Sequence, residues 1–286
     1  MTDLAAVRRF YAEEVQALGG VKSPALVDAL ATVRRERFLP PGPWMIRAEG
    51  DIGGPPRQTL DAEPRHVYHN FAIAIDPARN LFNGTPSLIC MAIDALGLTA
   101  GARGLHVGTG TGYFTALMGA CVGESGRVVA LEADAALAAQ AKANLASMPW
   151  IDARHGDGSS ALGETFDAIL VNAGATHPPD IWLDALAPGG RMIIPLTASM
   201  GAMGNIGKGL LLMLTRTDDA ASMAVRTLTF VAIFNAVGAR DESLNVELGK
   251  ALQRMPFPIL KRLRRDPHER SETCWYHGPT FCLTTA

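Results

Sequence analysis

The stretch "LHVGTGTGYFTA", residues 105–116, decides the fold. An apolar run ends in glycines at 108, 110 and 112, and a helix-forming segment follows. Glycines at a strand-to-helix turn let the chain reverse sharply and let a ligand lie against bare backbone, while the helix offers its amino end. A dinucleotide fingerprint, G-x-G-x-x-G, needs a third glycine where this chain has Tyr113. The pattern present is G-x-G-x-G, which argues against an NAD dehydrogenase.

Working outward from the turn, strands and helices alternate. "RGLHV" reads as a strand, "GYFTALMGACVG" as a helix, "GRVVALE" as a strand and "DAALAAQAKANLASM" as a helix. "IDARHGD" and "FDAILVNA" follow as strands, "PDIWLDALAPGG" as a helix with a glycine stop, and "RMIIPLT" as a strand. This spacing predicts an α/β fold with a doubly wound, mostly parallel sheet. Ligands of such sheets sit outside the carboxyl ends of the strands. Glu132 closes the second strand, where a carboxylate accepts both hydroxyls of a ribose, and Asp157 in "HGDGSS" closes the third, where it accepts from an adenine amino group.

On the amino side, "DLAAVRRFYAEEVQALGG" places Leu4, Val7, Phe10, Tyr11, Val15 and Leu18 near one helical face. "SPALVDALATVRRERF" reads as a second helix, with Ser23 as N-cap and Pro24 at its first position. From Pro40 to about Phe82 the chain is rich in proline, glycine and charge, with one strand at "FAIAI", and is expected to be a substrate lid. "TPSLICMAIDALGL" reads as a helix capped by Thr85. Past residue 200 the pattern is strands around one helix near residues 242–254. The expected division is an N-terminal helical and lid segment over 1–82, a cofactor-binding core over 83–200, and over 201–286 a β-rich C-terminal extension that completes or caps the sheet.

Composition narrows the function. The 286 residues are 48% hydrophobic and 19% charged, with a net charge of -2, which speaks against partners recruited by bulk charge, nucleic acid and anionic membranes among them. "KRLRRDPHER", residues 261–270, reads as a solvated basic stretch. The start of the chain lacks the apolar core of a secretory signal, and no uninterrupted apolar stretch is long enough for a membrane span. Four cysteines without paired CxxC spacing predict a reduced, cytoplasmic protein. Cys274 and Cys282 flank "WYHGPTF" and read as buried strand residues, without the ligand set of a metal site. The methionines of "PLTASMGAMGNIGKGLLLM" read as gap-filling core residues.

The run from "LHVGTGTGY" through "ALEAD", "GDG" and "FDAILVNAGATHPPDIWLDALAPGGRMIIPLT" resembles the class I S-adenosylmethionine-dependent methyltransferases, with their Rossmann-like sheet, and most of all the protein-L-isoaspartate O-methyltransferases. "ALATVRRERFLP" is similar to that family's stretch before its substrate loop. The resemblance implies S-adenosyl-L-methionine as cofactor and S-adenosyl-L-homocysteine as product. It implies a cofactor site at His106, Gly108, Thr109, Gly110, Gly112, Tyr113, Glu132, Ala133, Asp157, Gly158, Asn172 and Ala173, the last two bordering the methyl. His106 stands where the family usually has an acidic residue, and "FNGTPS" stands where it has a Thr-x-Ser-x-Pro-type segment, leaving Asn83 and Thr85 as the polar groups.

Methyl transfer is an in-line displacement helped mostly by orientation. A carboxylate acceptor is already ionised at neutral pH and needs no base. A hydroxyl acceptor does, and His177 in "AGATHPPD" is the best-placed candidate, ahead of His66 and His69. The predicted activity is therefore methylation of a carboxylate on a peptide, a protein or a small molecule, with Asn83, Thr85 and His177 on the substrate side. The alternatives are methylation of a natural-product hydroxyl with His177 as base, and a cofactor-binding scaffold without turnover. A charged His106 would repel the methionine ammonium, so its ring is expected to be neutral; a ring titrating in the site would weaken cofactor binding below roughly pH 6.

Overall fold

The computed structural model describes residues 3–48, 54–160, 162–199, 204–219 and 221–286. In chain order its elements begin with α1 (Leu4–Gly19), α2 (Pro24–Thr32), β1 (Met45–Ala48), β2 (Arg57–Gln58), β3 (Phe71–Asp76), β4 (Leu81–Phe82) and α3 (Pro86–Leu96). Next come β5 (Arg103–Val107), α4 (Tyr113–Val122), β6 (Arg127–Glu132), α5 (Ala135–Asn144), β7 (Ile151–His155), β8 (Phe166–Val171), α6 (Asp180–Asp184) and β9 (Leu186–Ser199). The chain ends with β10 (Ile206–Arg216), β11 (Ser222–Phe234), α7 (Glu242–Leu252), β12 (Arg262–Arg264), β13 (Cys274–His277) and β14 (Cys282–Thr284). Two compact units result, one of Met1–Ala102 with Thr109–His155, the other of Arg103–Gly108 with Gly156–Ala286.

In the first unit, Asp3 caps α1 by accepting from the Ala5 and Ala6 amides. Only Tyr11, Ala12 and Val15 of this helix are buried; Phe10 and Leu18 face solvent, so the apolar face is narrower than the sequence predicts. Ser23 caps α2 through its hydroxyl and Pro24 opens it, as expected. The helix stops at Thr32 instead of running through "RRERF", which forms a separate 3-10 turn at Arg35–Phe38. The reason is Arg35, which is fully buried and turns inward. Its Nη1 donates to the carbonyls of Val67 at 2.8 Å and His69 at 2.9 Å, and its Nη2 to that of Phe71 at 2.9 Å. The rings of Tyr11 and Tyr113 flank the guanidinium at 5.6 Å and 5.5 Å.

The segment expected to be an irregular lid carries a small antiparallel sheet, in the order β2-β1-β3-β4. "FAIAI" is β3, as expected, and its neighbours are strands of two to four residues, too short to show alternation. Residues 49–53 of this segment lie outside the described residues. The same unit holds the parallel pair β6 and β7, in register from Val128↔Ile151 to Glu132↔His155. Asp134 caps α5 by accepting from Ala136 and Leu137 at 3.0 Å each.

The second unit is built on strands in the order β13-β14-β12-β11-β10-β9-β8-β5. β5, β8 and β9 are mutually parallel neighbours, and everything from β10 onward pairs antiparallel, so the C-terminal extension is β-rich as predicted. The helix predicted over "PDIWLDALAPGG" is shorter: α6 ends at Asp184, and Leu186 already pairs with Phe166. Partnered backbone in the ladder outweighs the helical pattern of "LDALAPGG". Met200 and Met203, read as gap-filling core methionines, lie outside the described residues. Among the described residues no helix is long and apolar enough to cross a membrane.

The buried guanidinium makes a test of the first unit. Arg35→Met keeps the apolar stem but leaves three carbonyls without their donor, and should lower the unfolding free energy by about 3 kcal/mol in urea titration. A loss within the error of the measurement would show that the cation does not organise the unit.

Candidate active site

The turn after β5 passes from one unit to the other. Within the first unit, the Thr109 amide donates to the Leu131 carbonyl at 3.2 Å and Gly112 donates to that of Thr109 at 3.1 Å, closing the turn onto the start of α4. The Gly110 amide donates to Glu132 Oε2 at 2.7 Å, and the Asp134 amide donates to Oε1 of the same carboxylate at 3.0 Å. A carboxylate at the end of β6 is thereby locked to the glycine turn through backbone alone. Ala133, next in the chain, accepts from His155 Nε2 at 3.1 Å through its carbonyl.

Two predicted site residues have buried side chains. Tyr113 is buried, with its hydroxyl 3.2 Å from that of Tyr11 and its ring edge-on to Phe38. Burial raises its pKa well above the ordinary phenol value. It anchors the start of α4 in the core. His106, in β5 of the second unit, is fully buried, and burial depresses its pKa to about 3. The ring is neutral as expected, and a fall in cofactor binding near pH 6 is not expected from it.

The acceptor-side residues of the first unit lie between β4 and α3. Asn83 exchanges two hydrogen bonds with Ile73, its amide donating at 3.0 Å and its Oδ1 accepting at 2.9 Å. Its Nδ2 is buried without a hydrogen-bond partner among the described residues. Thr85 occupies the N-cap position of α3, but its hydroxyl makes no capping bond. His66 pairs with Asp61 at 2.9 Å, and His69 lies against Phe71 with ring centroids 5.6 Å apart.

In the second unit, Gly108 adopts φ 80°, and a Cβ there would come within 3.1 Å of the Asn172 carbonyl oxygen, so only glycine fits between β5 and the exit of β8. Asn172 returns its amide to the Val107 carbonyl at 2.8 Å, which places Ala173 beside the turn. Asp157 accepts from the Ser159 amide at 2.9 Å and from its hydroxyl at 2.6 Å, and these bonds hold its carboxyl below the usual carboxylate range. Gly238 packs so tightly on Asp157 that a Cβ would lie 2.4 Å from Oδ2. The Gly158 carbonyl accepts from Trp182 Nε1 at 2.9 Å.

His177 is half-buried, with Nδ1 3.0 Å from Thr176 Oγ1 and its ring stacked on Phe281 at 6.4 Å. Burial lowers its pKa, against the pull of Asp241 and Asp180. Sequence reasoning missed what steadies this exit. Arg240 donates through Nη1 to the Gly174 carbonyl at 2.8 Å and through Nη2 to Ser199 and Asn245 at 2.8 Å each. Tyr276 donates to the Thr176 carbonyl at 2.8 Å. Neither residue carries a local sequence signal, because both act across long separations.

Cys274 and Cys282 are buried strand residues, as expected, but they do not stand alone. The structure brings His268 and His277 to them, so that one ligand atom from each of the four lies within 4.8 Å of the others. The reading that a ligand set is lacking there does not hold. The sequence signal was the Cys-x2-His-x4-Cys spacing over 274–282, with a histidine six residues ahead. The basic stretch beside it is engaged by acids: Arg264 pairs with Asp266, and Arg265 with Asp180 and Asp184.

Comparison with known proteins follows the same lines. The family model for protein-L-isoaspartate(D-aspartate) O-methyltransferase matches residues 56–228. A protein-L-isoaspartate O-methyltransferase of Methylorubrum populi is 34% identical over 84% of this chain and 99% of its own. One of Rhodopseudomonas palustris is 32% identical over 83% of this chain and 86% of its own. Among solved structures, a protein-L-isoaspartate O-methyltransferase superposes with a TM-score of 0.65 at 23% identity, over 87% of this chain and 71% of that one. A Plasmodium falciparum beta-aspartate methyltransferase in complex with S-adenosyl-L-homocysteine gives 0.60 at 18%, over 80% of this chain and 98% of that one.

The buried imidazole sets a pH dependence. His106 has a folded pKa of about 3, against about 6.5 for a free imidazole. Below pH 6.5 the unfolded chain takes up a proton that the folded chain refuses, so stability from this group is complete above that pH and is lost as the pH falls toward 3. The expected loss between pH 7 and pH 5 is about 2 kcal/mol. Urea unfolding of His106→Leu beside the wild type should show that part of the slope removed; equal slopes would mean the ring is charged in the folded chain.

Proposed function

The chain belongs to the protein-L-isoaspartate(D-aspartate) O-methyltransferase family and is an S-adenosylmethionine-dependent O-methyltransferase, and from that premise we propose that its acceptor is the free carboxylate of an isoaspartyl residue in a peptide or protein. The observation that carries the cofactor assignment is Glu132. A carboxylate accepts at about four lone-pair sites; the Gly110 and Asp134 amides take two and orient the group. The remaining two suit the vicinal hydroxyls of a ribose. We assign the adenine amino group to Asp157, which Ser159 holds ionised. Gly108, Thr109, Gly110 and Gly112 supply bare backbone to the methionine end, and Asn172 and Ala173 the border of the methyl. Ala133 and Gly158 extend the adenosine side.

When bound, the cofactor supplies a methyl group on a sulfonium. A carboxylate acceptor, already ionised at neutral pH, would need no proton removed to take it. The protein therefore has to orient and desolvate, not to ionise. Asn83 and Thr85 are suited to hold the acceptor. A buried amide nitrogen without a partner costs about 1–3 kcal/mol, and a bound carboxylate would satisfy it; the Thr85 hydroxyl is unspent on its own helix. The four unpaired cysteines are in keeping with a reducing, cytoplasmic setting.

A hydroxyl acceptor is a second reading because burial lowers the pKa of His177, which suits a base, although its Nδ1 is engaged by the Thr176 hydroxyl. Two measurements separate the readings. In calorimetric titration Glu132→Ala should weaken S-adenosyl-L-methionine binding at least tenfold, about 1.4 kcal/mol, while NAD does not bind; unchanged affinity would remove Glu132 from the site. With an isoaspartyl peptide and its aspartyl isomer as acceptors, the wild type should methylate only the first, and His177→Ala should retain that activity. Failure of the wild type to methylate the isoaspartyl peptide, with the cofactor still bound, would instead favour a hydroxyl acceptor.

A further inference from the structure

Beyond residues 56–228, matched by the family model, the C-terminal strands carry a group of side chains that the methyl-transfer reading leaves unused. β13 and β14 form an antiparallel hairpin in which His277 stands directly opposite Cys282. Cys274 begins the same hairpin, and His268 comes from the loop after β12. The two cysteine sulfurs and one nitrogen from each imidazole lie within 4.8 Å of one another. An ion with tetrahedral bonds of about 2.0–2.3 Å holds its ligand atoms roughly 3.3 to 3.8 Å apart, so this quartet matches the donor set and approaches the scale of a closed Cys2His2 centre.

Independent features point the same way. His268 Nδ1 lies 2.8 Å from the Asp266 carbonyl, which fixes the proton on Nδ1 and turns Nε2 toward Cys274 Sγ, 3.6 Å away. An imidazole whose other nitrogen donates to a carbonyl is the usual arrangement of a metal ligand. His277 Nδ1 is buried without a hydrogen-bond partner among the described residues. The Ser271 amide donates to Cys274 Sγ at 3.3 Å, a bond that suits a thiolate. The two imidazole planes stand at 88°, with centroids 5.0 Å apart.

We propose that His268, Cys274, His277 and Cys282 bind a structural zinc ion that staples the β13–β14 hairpin to the loop following β12. Four protein ligands close the coordination sphere, so the ion holds structure and performs no chemistry. Binding deprotonates both thiols and releases two protons. The hairpin in turn carries Tyr276, which bonds the Thr176 carbonyl, and Phe281, which stacks on His177. The ion thus steadies the exit of β8 from behind.

The test uses the full chain, purified in reductant without chelator. Elemental analysis should find roughly one zinc per chain, and cobalt(II) replacement should give thiolate-to-cobalt charge-transfer bands with the intense visible bands of a tetrahedral site. Cys282→Ser and His277→Ala should lose the metal, whereas Cys121→Ser should keep it. Chelation should lower the melting temperature of the wild type. Because the ligand variants can also fail to fold, the wild-type stoichiometry and cobalt spectrum decide the matter. Zinc far below one equivalent after reconstitution, a cobalt spectrum without thiolate bands, or a Cys274–Cys282 disulfide persisting in reductant would overturn the proposal. None of these readouts depends on methyl transfer, so they stand apart from the acceptor assignment.

Discussion

The guanidinium of Arg35 is buried in the first unit, and much of that unit follows from the need to satisfy it. An arginine has no neutral form within reach of ordinary pH, so burial demands partners. Arg35 finds them in three backbone carbonyls, those of Val67, His69 and Phe71, which forces residues 67–71 to present their oxygens to one point. The same charge lies between the rings of Tyr11 in α1 and Tyr113 in α4. Because Tyr113 is the first residue of α4, the anchor lies immediately after the glycine turn. A residue far from any ligand in the sequence thereby fixes where the turn's backbone amides point.

The turn is held from its other side by Glu132. Backbone amides exposed at the amino end of a helix attract anions, and here the nearest anion belongs to the protein. That arrangement pre-organises a carboxylate for hydroxyl donors at little entropic cost, since β6 and the turn are both rigid. Asp157 is held by a different device, a short turn in which Ser159 supplies both donors while Gly238 packs against the remaining oxygen. Both acids are held by donors of the chain itself, Glu132 by backbone amides and Asp157 by the amide and hydroxyl of Ser159, before any ligand arrives. This is the economy expected where orientation, and not acid–base chemistry, supplies most of the rate.

Much of this was legible in the sequence because it depends on local pattern. The β–α alternation from residue 103, the N-cap at Ser23, the strand at "FAIAI" and α7 all follow from periodicity and capping chemistry. The misreadings have a common physical origin in long-range partners. The burial of the Tyr113 and His106 side chains, in or beside the turn, is likewise a matter of long-range packing that no local pattern discloses. "LDALAPGG" has a helical pattern, yet its backbone joins a ladder with β8. β1, β2 and β4 are too short for a periodic signal and owe their existence to pairing around β3. The quartet of His268, Cys274, His277 and Cys282 differs, since its members are near in sequence and show a spacing, but a hairpin and a loop give that spacing no periodicity to mark it.

The C-terminal strands show why such a quartet has a physical task. β12, β13 and β14 are only three or four residues long and join through turns rich in proline, glycine and charge. Strands this short contribute few ladder bonds, and an edge hairpin is marginal by itself in water. Part of the deficit is met by burial, with Trp275, Tyr276, Phe281 and Leu283 all nearly inaccessible. Aromatic packing, however, fixes the hairpin against the sheet without fixing the loop from Asp266 to Ser271 that leads into it. A metal bond differs in being directional and in linking residues from both places at once. Since Tyr276 and Phe281 lie between ligands on this hairpin and touch Thr176 and His177, the order imposed on the extension reaches the exit of β8. The extension thus supports the parallel core through contacts whose precision depends on a hairpin that its own ladder bonds hold weakly.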